Sequence, residues 1–244
     1  MEDFMFYDPE DFFDRVTEAL RRGDFNVAEK LLEEYLKSHS EDTQSRLLKS
    51  LIQEAKGDLL GAITPLEEIL IIDNSNDLAL YSLTNYYYMS LDCNKAIECC
   101  DKFIALKGTQ DSEEAINLRK IKVQSLYAQG KYSDALEQIE DLLKLNRKDE
   151  KMIVYKAKIF NINGSYDPAK KILNPIIPAI ADDGLLGHAY YILATSYYHL
   201  GQTDMSDEFL YKSAELNDEF GMRWLKLKLA AEWNQQMNQN KNQN

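Results

Sequence analysis

A short pattern centred on a glycine recurs along the sequence at a nearly constant interval. Each copy has a glycine, an apolar or aromatic residue two positions later and an alanine three positions after that. The clearest copies are Gly23–Ala28, Gly57–Ala62, Gly130–Ala135 and Gly164–Ala169. Gly57 follows Gly23 by 34 residues, and Gly164 follows Gly130 by the same interval. A fixed period of this length predicts one small structural unit that is repeated and stacked.

Two further copies are altered but keep the register. Leu91–Ala96 begins 34 residues after Gly57 with a leucine in the glycine position, and Gly201–Ser206 ends in a serine instead of an alanine. The pattern therefore marks six units. Gly130 follows Leu91 by 39 residues, so we expect an insertion, and hence a longer loop, around residues 107–112.

Helices are the expected content of each unit. After Gly130, apolar side chains recur at spacings of three and four residues, which places them on one face of a helix. They are Tyr132, Ala135, Ile139 and Leu142. Proline is scarce, with 5 residues in 244, and the glycines mark turns between helices. The sequence therefore predicts pairs of helices joined at each glycine.

The six units resemble the tetratricopeptide repeat family, whose helix–turn–helix unit has about 34 residues and carries Gly, Tyr and Ala in this order across its turn. The resemblance implies an all-α fold, a right-handed α-solenoid of about six units within residues 1–217. We expect the units at about residues 9–42, 43–76, 77–110, 113–149, 150–183 and 187–217. Arg46 and Arg119 depart from the pattern, because a large aromatic residue is expected at these positions.

Two prolines should interrupt the fifth unit. Pro175 and Pro178 fall within its second helix. A proline inside a helix lacks the backbone donor and clashes with the preceding turn. We therefore expect a kink or an early end of that helix near residues 173–177.

A further helix is predicted after the last unit. Its apolar series is Phe220, Trp224, Leu227 and Ala231. This spacing fits a helix over residues 218–234 that caps the exposed end of the repeat stack. A second series lies on an adjoining face: Leu225, Leu229 and Trp233. That face offers an alternative role, contact with a partner or with a second copy of the chain. The Asn/Gln-rich residues 235–244 should be disordered.

The net charge narrows the classes of partner. The chain carries a formal charge of −13, so nucleic acids and anionic membranes would repel it, and a protein or peptide is the expected partner. No segment approaches the roughly 18 consecutive apolar residues of a membrane-spanning helix, and the acidic N-terminus lacks the features of a signal peptide. We therefore expect a cytoplasmic protein without membrane insertion, in which Cys93, Cys99 and Cys100 are buried free thiols.

The residues that could perform chemistry lack the spacing that a reaction needs. His39, His188 and His199 do not combine with cysteines or carboxylates at metal-ligand intervals. Neither a glycine-rich phosphate loop nor a nucleophile-elbow pattern occurs in the sequence. We therefore expect no enzyme activity, no metal and no cofactor.

The resemblance places a binding groove along the first helices of the units, since that surface is concave in the family. The residues predicted to contact a peptide or partner there are Tyr81, Asn85, Tyr88, Lys120, Gln124, Tyr127, Lys158, Tyr191 and Tyr198. Asn and Gln amides can pair with a peptide backbone, and Tyr offers contact area at a low entropy cost. Lysines on this face of an acidic chain favour an acidic or C-terminal segment as the ligand. The Lys/Asn clamp that family members use for the tail of heat-shock chaperones is not reproduced, because Tyr81 stands in a lysine position.

Three functions fit these expectations. The first is a non-catalytic adaptor or scaffold that binds a peptide or helix of a partner in the concave groove. The second is a regulatory receptor for a short peptide or small molecule. The third is a structural subunit of a multiprotein assembly. The chain itself is expected to be a monomer or a homodimer formed through the C-terminal helix.

Overall fold

The structure, a computed structural model, describes the backbone of residues 9–108 and 111–241 and the side chains of residues 12–108 and 111–234. These residues form thirteen α-helices and one short 3-10 helix, and no strand occurs among them. The all-α repeat fold is thus confirmed, whereas right-handed coiling of the chain stays a prediction.

The chain divides into two compact units, Met1–Lys131 and Tyr132–Asn244. The first unit contains α1 (Pro9–Arg21), α2 (Phe25–Ser38), α3 (Thr43–Ala55), α4 (Leu59–Ile72), α5 (Asp77–Met89), α6 (Cys93–Lys107) and α7 (Glu113–Ala128). The second contains α8 (Tyr132–Leu145), α9 (Glu150–Ile162), α10 (Tyr166–Leu173), α11 (Asp183–His199), α12 (Thr203–Glu215) and α13 (Glu219–Lys241). The loop expected at residues 107–112 separates α6 from α7, and its residues 109 and 110 lie outside the described part.

The same tight turn closes the helix pairs. In the first pair, Gly23 N donates to Leu20 O over 3.0 Å and Asp24 N donates to Ala19 O over 2.9 Å. This double hydrogen bond is a Schellman motif, which needs a left-handed residue at the glycine position. The glycines of the corresponding turns have φ angles from 72° to 79°, so the recurring glycine has a backbone reason.

Two turns have another residue in the left-handed position. Leu91 has a φ of 65°, and its side chain is 81% exposed. Asn217 has a φ of 58° in the turn between α12 and α13, where Asp218 N donates to Ser213 O over 3.2 Å. The terminal helix α13 is therefore joined to α12 by the turn that elsewhere joins the two helices of one repeat.

Polar caps fix where the first helices of the repeats begin. At the start of α3, α5, α7, α9 and α11, a side chain accepts a hydrogen bond from the backbone N–H three residues later. The capping residues are Asp42, Asn76, Ser112, Asp149 and Asp182. A cap of this kind typically stabilises a helix by about 1 kcal/mol. Asp218 caps α13 in the same way, over 2.8 Å to Gly221 N, as Asp58 and Asp92 cap the second helices α4 and α6 after their left-handed turn residues.

Tyrosine hydroxyls tie α5 to its neighbours in the first unit. Tyr86 donates to Glu54 of α3 over 2.7 Å, and Tyr87 donates to Glu67 of α4 over 2.5 Å. Burial, followed by these carboxylates, raises the pKa of both tyrosines. Each hydroxyl therefore stays protonated and donates to its carboxylate.

Arginine replaces an aromatic residue at two positions of the first unit without preventing packing. Arg46 donates to Glu68 over 2.9 Å, and its side chain is 12% exposed. Arg119 is 3% exposed within α7. At position 46, an ion pair between α3 and α4 thus replaces the aromatic side chain that the repeat pattern has there.

The three cysteines are free. Cys99 and Cys100 are buried, whereas Cys93 is half-buried. Burial raises the pKa of the Cys99 thiol to about 11 and that of the Cys100 thiol to about 12. Both therefore behave as small apolar core residues at neutral pH.

Small residues allow the helices of the second unit to approach closely. Ala157, Ala169 and Ala189 are fully buried in one cluster that joins α9, α10 and α11. Leu173 belongs to the same cluster and is the last residue of α10. The helix ends there because two prolines follow, and a short 3-10 helix covers Ile177–Ala179. The predicted interruption is confirmed.

The terminal helix is longer than predicted. It runs from Glu219 to Lys241, past residue 234, where the expected capping helix ended. Asn and Gln are tolerated inside a helix, at a cost of at most about 0.7 kcal/mol per residue, so the polar sequence does not force an earlier end. Residues 242–244 lie outside the described part, and disorder remains the expectation for them.

Leu91→Gly should stabilise the protein. A residue with a side chain in the left-handed region costs about 1–2 kcal/mol, and the exposed leucine contributes little packing. The greater freedom of glycine in the unfolded chain offsets about 0.4–1 kcal/mol of this. We expect the free energy of unfolding to rise by about 1 kcal/mol, measured by urea denaturation.

The matched control for this change is Gly57→Leu at the corresponding turn. A Cβ atom at Gly57 meets nothing within 4 Å, and its φ is 79°. Backbone strain alone should therefore lower the free energy of unfolding by about 1 kcal/mol. Equal stability of either variant and the wild type would contradict the strain that we assign to Leu91.

Candidate functional site

The predicted binding residues lie on two surfaces, one in each compact unit. The first surface, on α5 and α7, comprises Tyr81, Asn85, Tyr88, Lys120, Gln124 and Tyr127. The second surface is the face of α9 and α11 that carries Lys158, Tyr191 and Tyr198, together with the side chains of α13 that contact it. Each surface belongs to one unit.

The amide of Gln124 is already used within the first surface. Its Oε1 accepts from the Tyr88 hydroxyl over 3.0 Å, and its Nε2 donates to Lys120 O over 3.1 Å. Gln124 is buried, at 9% exposure. The residue therefore links α5 to α7, and contact with a peptide backbone stays a prediction.

Other predicted residues of the first surface also make internal contacts. Asn85 Nδ2 donates to Tyr81 O over 2.9 Å. The Tyr81 ring lies 6.1 Å from that of Phe103, and both Tyr81 and Tyr88 pack against the buried core of this unit. Part of this surface is thus structural.

A cleft of about 450 Å³ opens on the second surface between α9 and the start of α11. Its lining residues are Lys151, Val154, Tyr155, Lys158, Asp182, Gly184, Leu185 and His188. Three of these carry basic groups. The only carboxylate in this lining is Asp182, which accepts from Leu185 N over 2.6 Å as the cap of α11.

Two basic groups of this cleft, Lys158 and His188, are partly buried beside the start of α13. Lys158 Nζ lies 5.9 Å from the centroid of the Phe220 ring, and burial lowers the pKa of Lys158. His188 Nδ1 lies 3.5 Å from the Asp218 carboxylate. Burial, followed by the charge of Lys158, lowers the pKa of His188, although Asp218 acts in the opposite direction.

Aromatic side chains of α13 pack directly on the predicted binding tyrosines. The Phe220 ring lies 5.6 Å from the Tyr191 ring. The Trp224 ring meets Tyr191 at 6.0 Å and Tyr198 at 5.4 Å, in both cases nearly perpendicular. Edge-to-face ring pairs of this kind stabilise a contact by about 0.5–1.5 kcal/mol beyond their buried area.

A pocket of about 430 Å³ lies between α11 and α13. Its lining residues are Tyr191, Thr195, Tyr198, His199, Phe220, Arg223, Trp224 and Leu227. This lining contains four aromatic rings besides His199, the Arg223 guanidinium and no carboxylate. Tyr198 is 54% exposed, so part of its ring is open to a ligand.

A family model for the tetratricopeptide repeat matches residues 13–77 and 122–169. These stretches include the four clearest glycine turns of the sequence. In these two stretches the chain carries tetratricopeptide repeats.

Several solved structures have a fold similar to that of this chain. PilF of Pseudomonas aeruginosa superposes with a TM-score of 0.63 at 13% identity, over 89% of this chain and 96% of that chain. YrrB, described as a TPR protein with an unusual peptide-binding site, gives a TM-score of 0.60 at 17% identity, over 80% and 97%. PilW, described as a type IV pilus biogenesis factor, gives 0.59 at 14% identity, over 82% and 90%. Likeness at these identities shows the fold alone, and no curated protein matches the sequence.

Two other features of the described residues concern membranes and metals. None of their helices is long and apolar enough to cross a membrane. No group of three or more His, Cys, Asp and Glu residues in this part of the chain could hold a metal ion.

The sequence pattern assigned α13 only to capping the tetratricopeptide repeats, or to an outer contact. In the structure, its residues Phe220, Arg223, Trp224 and Leu227 also extend the second surface. Two signals could have indicated this. Asn217 stands in a glycine-like turn position, and Asp218 is a capping residue like Asp58 and Asp92, which follow the corresponding turns before α4 and α6.

Gly221→Ala should loosen the packing of α13. A Cβ atom at this position would lie 2.2 Å from Ser213 Oγ and 2.8 Å from Ser213 Cβ, so α13 must move away from α12. Overpacking of this kind costs about 1–3 kcal/mol. In a Trp233→Phe background, Trp224 is the remaining tryptophan, and its fluorescence should shift to the red as it becomes hydrated.

The control for the Gly221 experiment removes the clashing atoms. Adding Ser213→Gly should return the fluorescence of Trp224 toward its original wavelength. An unshifted spectrum in Gly221→Ala, or a shift that Ser213→Gly leaves in place, would contradict the close approach of α12 and α13.

His188→Gln should reduce the loss of stability in acid. Because the pKa of His188 is lowered in the folded state, the unfolded chain binds more protons as the pH falls below about 6.5. Stability is therefore present above this pH and lost as the pH falls toward the lowered value. Between about pH 7.5 and about pH 5, the wild type should lose more free energy of unfolding than His188→Gln. Equal losses in the wild type and His188→Gln would refute this.

Proposed function

We propose that this chain is a non-catalytic protein-interaction module that holds an acidic segment of a partner protein against its second surface. The observation that carries the proposal is the pocket between α11 and α13. Aromatic rings, His199 and Arg223 line it, and no carboxylate does. This lack of negative charge stands out in a chain with 41 acidic and 28 basic residues.

The neighbouring cleft adds positive charge along the same surface. Lys151 and Lys158 carry this charge, whereas His188, whose pKa is lowered by burial, is neutral at pH 7. An acidic segment that crosses both sites would meet cationic groups on α9 and α13. Opposite charges across an interface raise the association rate and select the partner.

The aromatic rings supply the contact area that charge alone does not. Tyr, Trp and Arg are the residues on which binding energy most often depends, and Tyr198, Trp224 and Arg223 meet at one pocket. An apolar or aromatic side chain of the segment would enter this pocket, while its carboxylates face Arg223.

Two comparisons support a binding role without naming a ligand. The tetratricopeptide repeat is in general a non-catalytic interaction fold. YrrB is described as having an unusual peptide-binding site, and its fold is similar to that of this chain. For the first surface we propose a lesser part in binding, because Tyr88 and Gln124 already bond to each other.

The test is a random peptide library displayed on phage and selected on the full chain. The selected peptides should be rich in Asp and Glu, and fluorescence anisotropy should show weaker binding at high salt. Tyr198→Ala and Arg223→Glu should each lower the affinity by at least about tenfold, as for hot-spot residues.

Matched variants control for general effects of these changes. Tyr211→Ala removes a tyrosine of similar exposure, 46%, from α12, and Arg147→Glu reverses an exposed arginine outside the pocket. Both should retain wild-type affinity within about twofold. Selected peptides without acidic residues, or peptides that bind Arg223→Glu undiminished, would rule out the acidic ligand. A failure to select any peptide would count against the binding role itself.

A further inference from the structure

The terminal helix has a second apolar face that the packing described above leaves uncovered. Leu225, Leu229 and Trp233 follow one another at intervals of four residues, and we call them the outer stripe. Leu229 is 47% exposed and Trp233 is 65% exposed, whereas Leu225 is half-buried. A large exposed tryptophan on a regular stripe is typical of a contact surface.

The helix leaves the rest of its unit near the middle of this stripe. Trp224 packs on α11, and Lys228 pairs with Asp207 of α12. From residue 229 to residue 234, every side chain is exposed. The helix nevertheless continues to Lys241, and isolated helices shorter than about 12–15 residues are marginal in water. Packing against a partner would stabilise this segment.

The charge of α13 is opposite to that of the chain. The helix has four basic and two acidic residues, in a chain with 28 basic and 41 acidic residues. Lys228 is neutralised by Asp207 and Glu232. Arg223 and Lys226 form no ion pair within the residues described. Lys226 lies three residues before Leu229 and seven before Trp233, so it borders the outer stripe.

We propose that the outer stripe of α13 pairs with an acidic amphipathic helix of a partner protein. The apolar face of that helix covers Leu225, Leu229 and Trp233. Its Asp and Glu residues lie opposite Lys226. This contact is separate from the pocket of the second surface and does not depend on the proposed function of that pocket.

Charge disfavours a second copy of the chain as the occupant of the outer stripe. In a twofold antiparallel pair of α13 helices, the flank with Lys226 would face the same basic flank of the other copy. In a parallel pair, two bodies with net negative charge would lie side by side. An anionic membrane is also disfavoured, because it would repel the rest of the chain, whose net charge is negative.

The probe is a phage-displayed library of amphipathic helices selected on the full chain. Every member has the same leucine stripe, and the flanking positions encode Glu, Gln or Lys. Helices with Glu flanks should dominate the selection. The double variant Leu229→Asp/Trp233→Asp should bind them at least about tenfold more weakly. Lys226→Glu changes one exposed side chain and should shift the selection from Glu toward Lys.

Controls separate this surface from other effects. Ile71→Asp places the same charge at a leucine-sized residue on α4 that is 83% exposed, and Tyr198→Ala alters the pocket of the second surface. Both should leave binding of the Glu-flanked helices unchanged. Circular dichroism and the unfolding midpoint establish that the variants fold.

Four results would overturn the proposal. One is a selection without charge preference, and another is full affinity in the double variant. A concentration-dependent dimer in sedimentation, abolished by Trp233→Asp, would assign the stripe to a second copy. Binding to phosphatidylserine vesicles, abolished by the same change, would assign it to a membrane.

Discussion

The tight turn within each helix pair is the constraint on which the rest of this structure depends. Its two hydrogen bonds need a residue with positive φ, and glycine supplies that conformation with the least strain. The turn returns the second helix along the first. Small buried residues such as Ala28 and Ala135 then allow the two helices to approach. The cores of both compact units are built from this one arrangement.

Where the first helices of successive repeats stack side by side, their exposed side chains form continuous surfaces. α5 packs against α7, α9 against α11, and α11 against α13, so each surface presents side chains from first helices at regular positions. The surfaces differ in what those side chains do. Tyr88 and Gln124 satisfy each other, whereas Tyr198 and Trp224 leave a pocket between their helices. Regular stacking therefore provides the place for a ligand, and the individual side chains determine whether it is open.

Periodicity explains how much of this could be predicted from the sequence. The glycine turns, the helix pairs and the position of Tyr191 and Tyr198 on one face of α11 follow from spacing. The end of α10 follows from Pro175 and Pro178. The hydrogen-bond partner of Gln124 does not follow from spacing, because it lies on another helix. The ion pair of Arg46 with Glu68 could not be predicted from spacing for the same reason. In the turn before α13, Asn217 occupies the left-handed position that glycine has elsewhere. The glycine pattern therefore did not predict that α13 contributes to the second surface.

The helical period also explains how one helix can serve two surfaces. With about 3.6 residues per turn, Phe220 and Trp224 face α11 while Leu229 and Trp233 point away from it. Both faces lie beside basic side chains, in a chain whose remaining charge is negative. An acidic partner is therefore repelled by most of the molecule and attracted to α13. Such a distribution of charge selects the site of contact by excluding the alternatives, which is how a specific interface is usually achieved.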